Sequence, residues 1–176
     1  MREVIWTQSK SPLGSIFVAA IGGRLVVLSY GDDERDFHRE IESLGVPIFD
    51  RGSLRPVVRQ LDEYFAGERS AFDVEIDLSR LSSFQRSVLE ATCQIPYGMV
   101  LSYKEVAERI GKPGAARAVG TALGNNPIGI IVPCHRVIAS DGTIGGYSGA
   151  GGVASKRRLL ELEGVTDLAN RRPLPR

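Results

Sequence analysis

Cys134 and His135 stand side by side in the run Ile131-Val132-Pro133-Cys134-His135-Arg136-Val137. Elsewhere the chain has a single further cysteine, Cys93, and a single further histidine, His38. Chemistry at sulfur needs the thiolate, and a free thiol with a pKa of about 8.5 is only a few per cent ionised near neutral pH. An adjacent imidazole held by a carboxylate is the usual way to raise that fraction. Taken alone, the dipeptide fits a buried thiol beside a surface histidine equally well, because local signatures of cysteine enzymes do not transfer between families.

The elements that must position this pair are legible from their patterning. Ser82 with Gln85 forms a capping box that opens a helix carrying Phe84, Val88 and Leu89. Cys93, near its end, reads as packing. Ser102 with Glu105 forms a second box, and the helix that follows sets Tyr103, Val106, Ala107 and Ile110 on one face before Gly111 stops it. After the turn Lys112-Pro113-Gly114, a third helix runs from Ala115 to about Leu123. Two helices joined by a tight glycine-containing turn make a helix-turn-helix, with the third helix as the reading element.

That third helix has an unusual surface. Ala115, Val119, Ala122 and Leu123 share its core side, while Arg117 lies opposite among Ala116, Ala118, Gly120 and Thr121. A major-groove reader carries several long polar side chains to base edges. A face of small residues with one projecting cation fits close approach to sugars and phosphates in the minor groove, with Arg117 able to enter the base stack.

The first half reads as a small α/β layer. Val4-Ile5-Trp6 and Ser15 to Ala20 are strand-like, Gly22-Gly23 makes a two-residue turn, and Arg24 to Tyr30 returns. Asp32 and Asp33 open a helix with Phe37, Ile41 and Leu44 on one side. A second helix after Ser53 shows Leu54, Val57, Val58, Leu61 and Phe65 and stops at Gly67, with Pro56 tolerated in its first turn. Phe72, Val74, Ile76 and Leu78 alternate with Asp73, Glu75 and Asp77, the pattern of a half-buried strand. His38 reads as solvent-facing.

The overall charge of +1 conceals an asymmetry. Through Ser79 there are 9 Lys+Arg against 14 Asp+Glu, a balance of −5, which leaves +6 for the remainder. A basic second half suits an anionic partner. No apolar run approaches a membrane span and Met1-Arg2-Glu3 leads straight into a strand-like segment, so the expected setting is the cytoplasm, with reduced thiols.

Pro133-Cys134-His135-Arg136 resembles the active-site motif of the O6-alkylguanine-DNA alkyltransferases, the methylated-DNA–protein-cysteine methyltransferases. The resemblance extends from Phe84-Gln85 through Ile95-Pro96-Tyr97-Gly98, Ser102-Tyr103, Ala116 to Gly120, Asn126-Pro127 and Gly146-Tyr147-Ser148-Gly149 to Leu159 to Gly164. It implies an α+β fold: a ribonuclease-H-like α/β domain (1–79), a mostly helical, winged-helix-like helix-turn-helix domain (80–165), and a loose tail (166–176). It also implies direct-reversal repair of double-stranded DNA bearing O6-alkylguanine, and leaves activity on O4-alkylthymine open. One alkyl group per molecule passes to Cys134 from a base flipped through the minor groove.

Residue by residue, the resemblance makes Cys134 the nucleophile, His135 its proton acceptor through a water, and Glu163 the carboxylate behind His135, at the end of a helix opening near Ser155. Tyr103 aids base rotation and protonates the departing guanine. Asn126 ties the reading helix to the cysteine loop. Arg117 is the finger that fills the stack, with Ser102, Tyr103, Ala116, Gly120 and Thr121 along the DNA. Leu123, Pro133, Val137, Tyr147 and Ser148 border the flipped base, and Arg136 braces the loop.

The expected assembly is a monomer in solution, with cooperative assembly on DNA left open, and with no membrane and no cofactor. Some relatives hold a structural zinc in the first domain, but with no cysteine before Cys93 and only His38 there, its ligands are missing and no metal is expected. Two departures stand out: a loop at Gly149 to Ser155 about two residues longer than is common, and Gly124 where some relatives carry a cation. The competing readings are a non-catalytic reader of alkylated DNA, a sequence-specific helix-turn-helix regulator, and a Cys-His hydrolase.

Overall fold

The computed structural model describes residues 2–31 and 33–168, so the expectations for Asp32 and for most of the tail fall outside the described residues. The chain divides into two compact units, one running to Leu78 and including Pro127–Gly129, the other comprising Ser79–Asn126 and the chain from Ile130 onward. The architecture is α+β.

In the first unit, strands β1 (Glu3–Ser11), β2 (Gly14–Ile21) and β3 (Arg24–Tyr30) form an antiparallel meander. Gly22 and Gly23, at φ +56° and +79°, supply the two left-handed positions that a tight hairpin turn requires. Helix α1 (Arg35–Leu44) leads into β4 (Val46–Phe49), which pairs parallel to β1 and completes the order β3-β2-β1-β4. This edge strand was not anticipated, because four residues are too few to show alternation.

Five successive residues of β2, Ile16 to Ala20, are buried, so both faces of the sheet are covered. One face packs Val4, Phe17 and Ala19 against Phe37 and Ile41 of α1. Helix α2 (Arg55–Phe65) packs on β1. The alternation at 72–78 does not produce a strand. Ile76 makes only an isolated parallel bridge to Leu25, through Leu25 N–H to the Glu75 carbonyl and Asp77 N–H to the Leu25 carbonyl. The apolar residues of that segment are still turned inward, so the pattern reported burial and not a ladder.

The second unit is built on α3 (Ser83–Cys93), α4 (Tyr103–Arg109) and α5 (Ala116–Gly124), with α5 packed on both of the others. Gly111 and Gly114, both at positive φ, shape the turn between α4 and α5. The Ser102–Glu105 box is complete: Glu105 N–H donates to Ser102 Oγ at 3.1 Å and Ser102 N–H to the Glu105 carboxylate at 2.7 Å. The Ser82 box forms by half. Ser82 Oγ accepts from Gln85 N–H, but the Gln85 amide turns away and donates to the Asn125 carbonyl at 2.9 Å, pinning the end of α5 to α3.

Two-residue strands β5 (Leu101–Ser102) and β6 (Val137–Ile138) pair in parallel, with a 3-10 turn at Cys134–Arg136 just before β6. Helix α6 (Gly152–Leu162) begins three residues earlier than expected. The loop closes onto that first turn: Ser155 Oγ donates to the Ala150 carbonyl at 2.6 Å, and Gly151 is left-handed at φ +78°. No helix among the described residues is long and apolar enough to cross a membrane.

Candidate active site

Cys134 opens the 3-10 turn at the floor of a cavity of about 430 Å³. Tyr103, Leu123, Tyr147 and Ser148 form its walls with three glycines, Gly120, Gly124 and Gly146. Tyr103 projects from the first turn of α4. Leu123, Gly120 and Gly124 come from α5, and the remainder from the glycine-rich loop ahead of α6. Gly145, at φ +72°, lies so close to Tyr103 that a Cβ there would sit 3.0 Å from its hydroxyl.

His135 is fully buried, and its Nε2 lies 2.7 Å from Glu163 Oε1. Glu163 caps the C-terminus of α6, where the helix dipole disfavours an acid. Burial would raise its carboxyl, but hydrogen bonds and charge from His135, and then from Arg136, outweigh burial and hold it down to about 2. A carboxylate so ionised can only accept, so His135 Nε2 carries the proton. Nδ1 is then the basic nitrogen, and it has no partner among the described residues. Burial keeps the imidazole below its usual pKa, against the pull of Glu163.

Arg136, which the sequence reading gave only a bracing role, is the cation on Glu163. Arg136 Nε donates to Oε2 at 2.8 Å and its terminal nitrogen to Oε1 at 3.0 Å, a two-pronged grip, while its other nitrogen reaches the Ile95 carbonyl at 2.6 Å. Gly98 N–H adds a bond to Oε2 at 3.2 Å, and the Tyr97 hydroxyl donates to the Leu162 carbonyl at 2.9 Å. The block Ile95 to Gly98 is therefore a support for Glu163.

Burial also pushes the Cys134 thiol up. Hydrogen bonding from Asn126, the charge of Lys156 and hydrogen bonding from Tyr147 act against it. Asn126, just past α5, donates from Nδ2 to the Val132 carbonyl at 3.0 Å and so joins that helix to the cysteine segment. Ile130, in the same segment, holds φ +69°, a strained position for a β-branched residue.

Lys156 received no role from the sequence, yet it is fully buried. Its ammonium donates to the carbonyls of Val137 at 2.6 Å and Gly146 at 3.1 Å and stands 3.4 Å from the Tyr103 hydroxyl. Burial brings its pKa down to about 8, with the Cys134 thiolate pulling the other way. Helical spacing does mark it, since Lys156 shares a face with Leu159 and Leu160.

The structure gathers Tyr103, Leu123, Cys134, Tyr147 and Ser148 around the cavity and sets His135, Glu163 and Asn126 behind it. Arg117 and Thr121 lie exposed on α5, with Ala116 partly so and Gly120 beside the Tyr103 ring. Three residues sit apart from their expected places. Ser102 is 2% exposed with its hydroxyl engaged as a helix cap, Pro133 is buried outside the lining, and the Val137 carbonyl already accepts from Lys156.

Residues 83–165 match the family described as "6-O-methylguanine DNA methyltransferase, DNA binding domain", and residues 4–78 match that family's "ribonuclease-like domain". The chain is 57% identical over 114 residues to a methylated-DNA–protein-cysteine methyltransferase of Mycobacterium bovis, covering 65% of this chain and 67% of that one. The counterpart from Mycobacterium leprae is 46% identical over 153 residues, covering 87% and 88%. Among solved structures, Mycobacterium tuberculosis OGT in complex with DNA superposes with a TM-score of 0.79 at 46% identity, covering 90% of this chain and 92% of that one. With both halves matched in order, the chain belongs to the 6-O-methylguanine DNA methyltransferase family.

Proposed function

We propose that this protein repairs alkylated double-stranded DNA by direct reversal, moving the alkyl group from guanine O6 to its own Cys134. The observation that carries the reading is the pairing of a cavity-lining thiol with a buried His135 whose proton-bearing nitrogen faces an ionised Glu163. Glu163 fixes the tautomer, leaving Nδ1 as the base that takes the Cys134 proton through a bridging water. The Sγ lone pair attacks the alkyl carbon, the C–S bond forms as the C–O6 bond breaks, and the electron pair stays on the guanine. Tyr103 supplies the proton that neutralises the departing base.

A stacked guanine cannot reach a thiol on the cavity floor, so the nucleotide is rotated out at an unstacking cost of a few kcal/mol. The exposed face of α5 supports entry from the minor groove: it presents Arg117 among small residues, and Arg117 fills the vacated stack. Tyr147 and Ser148 close over the flipped base. A thioether has no low-energy leaving route, so each molecule acts once, and the chemistry calls on no group beyond these side chains.

Incubation with one equivalent of O6-methylguanine duplex, followed by mapping of the adduct by mass spectrometry, tests this reading. The expected result is one methyl group per protein, on Cys134. A methyl elsewhere, or many turnovers per molecule, would overturn it and favour a Cys-His hydrolase; tight binding without transfer would favour a non-catalytic reader. Arg117→Ala is expected to slow reaction with duplex DNA far more than reaction with the free O6-methylguanine base. Equal losses would remove the finger role.

A further inference from the structure

The first half of the chain is acidic, with 14 Asp+Glu against 9 Lys+Arg through Ser79. Five of those cations, Arg24, Arg35, Arg39, Arg59 and Arg69, sit in ion pairs with neighbouring carboxylates. Among the described residues the other four, Arg2, Lys10, Arg51 and Arg55, have no carboxylate partner. Three of these four line a single groove of about 460 Å³, and among the described residues no acidic one lines it.

The groove has a structural origin. The parallel ladder between β1 and β4 ends at Trp6 and Phe49, and Asp50 N–H bonds the Trp6 carbonyl as the chain leaves the sheet. Among the described residues no strand covers that edge of β1 beyond Trp6, and Thr7, Ser9 and Lys10 form one wall. Arg51 and Arg55, at the start of α2, form the other, and Ser15 contributes a further hydroxyl. Asp50, the nearest acid in sequence, is occupied: it accepts from the Gly52 N–H at 2.7 Å and the Ser53 hydroxyl at 2.6 Å.

We infer that this groove on the first unit is a second nucleic-acid contact, taking the phosphodiester backbone of duplex DNA independently of the α5 face. All three cations are exposed, and in high dielectric each holds a lone small anion weakly. A polyanion is different. Each phosphate neutralised releases condensed counterions, so even exposed cations contribute to affinity, and hydroxyls with open strand-edge groups add positioning bonds. Keeping carboxylates out of one groove of an otherwise acidic unit is what such a contact requires. The inference goes beyond the proposed repair reaction, since it concerns residues remote in sequence from Cys134 and holds for undamaged DNA.

The test compares the full-length protein with the triple variant Lys10→Ser/Arg51→Ser/Arg55→Ser, using long undamaged duplex as the probe in titrations at several salt concentrations. Loss of three phosphate contacts is expected to flatten the slope of log K against log[salt] by about 2 to 3. Reaction with free O6-methylguanine base should be unchanged, which also shows that the variant is folded. The double variant Arg51→Lys/Arg55→Lys, which keeps the charges, should retain the slope. Amide NMR supplies the second arm: duplex should shift Gln8, Ser9 and Lys10, and inorganic phosphate at matched ionic strength should not. An unchanged slope in the triple variant, or equal shifts with phosphate alone, overturns the inference; the second result would mark a small-anion site. Failure here leaves the adduct-mapping result on Cys134 untouched.

Discussion

Lys156 is where chemistry at the level of single residues is most open to test. A buried ammonium beside a thiolate stabilises that thiolate by direct charge attraction. Lys156→Met is therefore expected to move the pH dependence of methyl transfer to higher pH, because the Cys134 thiol, already raised by burial, loses the cation that opposes the rise. Single-turnover rates measured from pH 6 to 9 will show this, and an unchanged midpoint would leave Lys156 with a packing role alone. Arg136 makes the complementary case. Its side chain and that of Glu163 are both buried, so Arg136→Ala takes the two-pronged cation away from a carboxylate that also bonds His135 and the Gly98 N–H. Breaking one side of such a pair costs about 3–5 kcal/mol. Urea unfolding of the variant checks that figure, and a loss below about 1 kcal/mol would mean that solvent reaches Glu163.

At the scale of elements, the two capping boxes separate what sequence reads well from what it reads badly. Both have the right residues at the right spacing, but only Ser102–Glu105 closes on itself. Gln85 finds the Asn125 carbonyl instead, because α5 ends beside α3 and offers an acceptor that local sequence does not reveal. Ser102→Ala is expected to cost about 1 kcal/mol of stability, read from the shift of the denaturation midpoint. Gln85→Ala should act on α5, with faster amide exchange at Asn125 and Asn126 while the start of α3 stays protected. Faster exchange confined to Ser83 to Gln85 would count against the tie.

For the molecule as a whole, the buried His135–Glu163 pair makes acid destabilising. His135 is held neutral in the fold, so the unfolded chain takes up its proton first and stability falls as pH drops below 6.5. Glu163 stays ionised down to about 2, against 4.5 for the free group. Its contribution is therefore present above pH 4.5 and disappears as pH falls towards 2. The urea midpoint should decline from pH 6.5 to 4.5 in the natural protein and stay nearly level over that range in His135→Gln. A level profile in the natural protein would mean that His135 is not buried as a neutral base.

Sequence alone determined the helices of both units, the glycine hairpin and the helix-turn-helix with its small-residue face, and its family resemblance pointed to Cys134, His135, Glu163 and Asn126 as a group. Each of these is written either in local periodicity and capping or in a motif whose spacing tolerates little change. The tertiary structure alone decided the parallel edge strand β4, the failure of 72–78 to become a ladder, the two-pronged hold of Arg136 on Glu163, the buried ammonium of Lys156, and the groove whose cations have no carboxylate partner among the described residues. The groove arises because β1 and the start of α2, distant in the chain, lie side by side, and the other four share one physical reason. A strand needs a neighbour with free edge groups, and a charge can be buried only where partners distant in the chain converge on it. Neither condition is a property of any window of sequence.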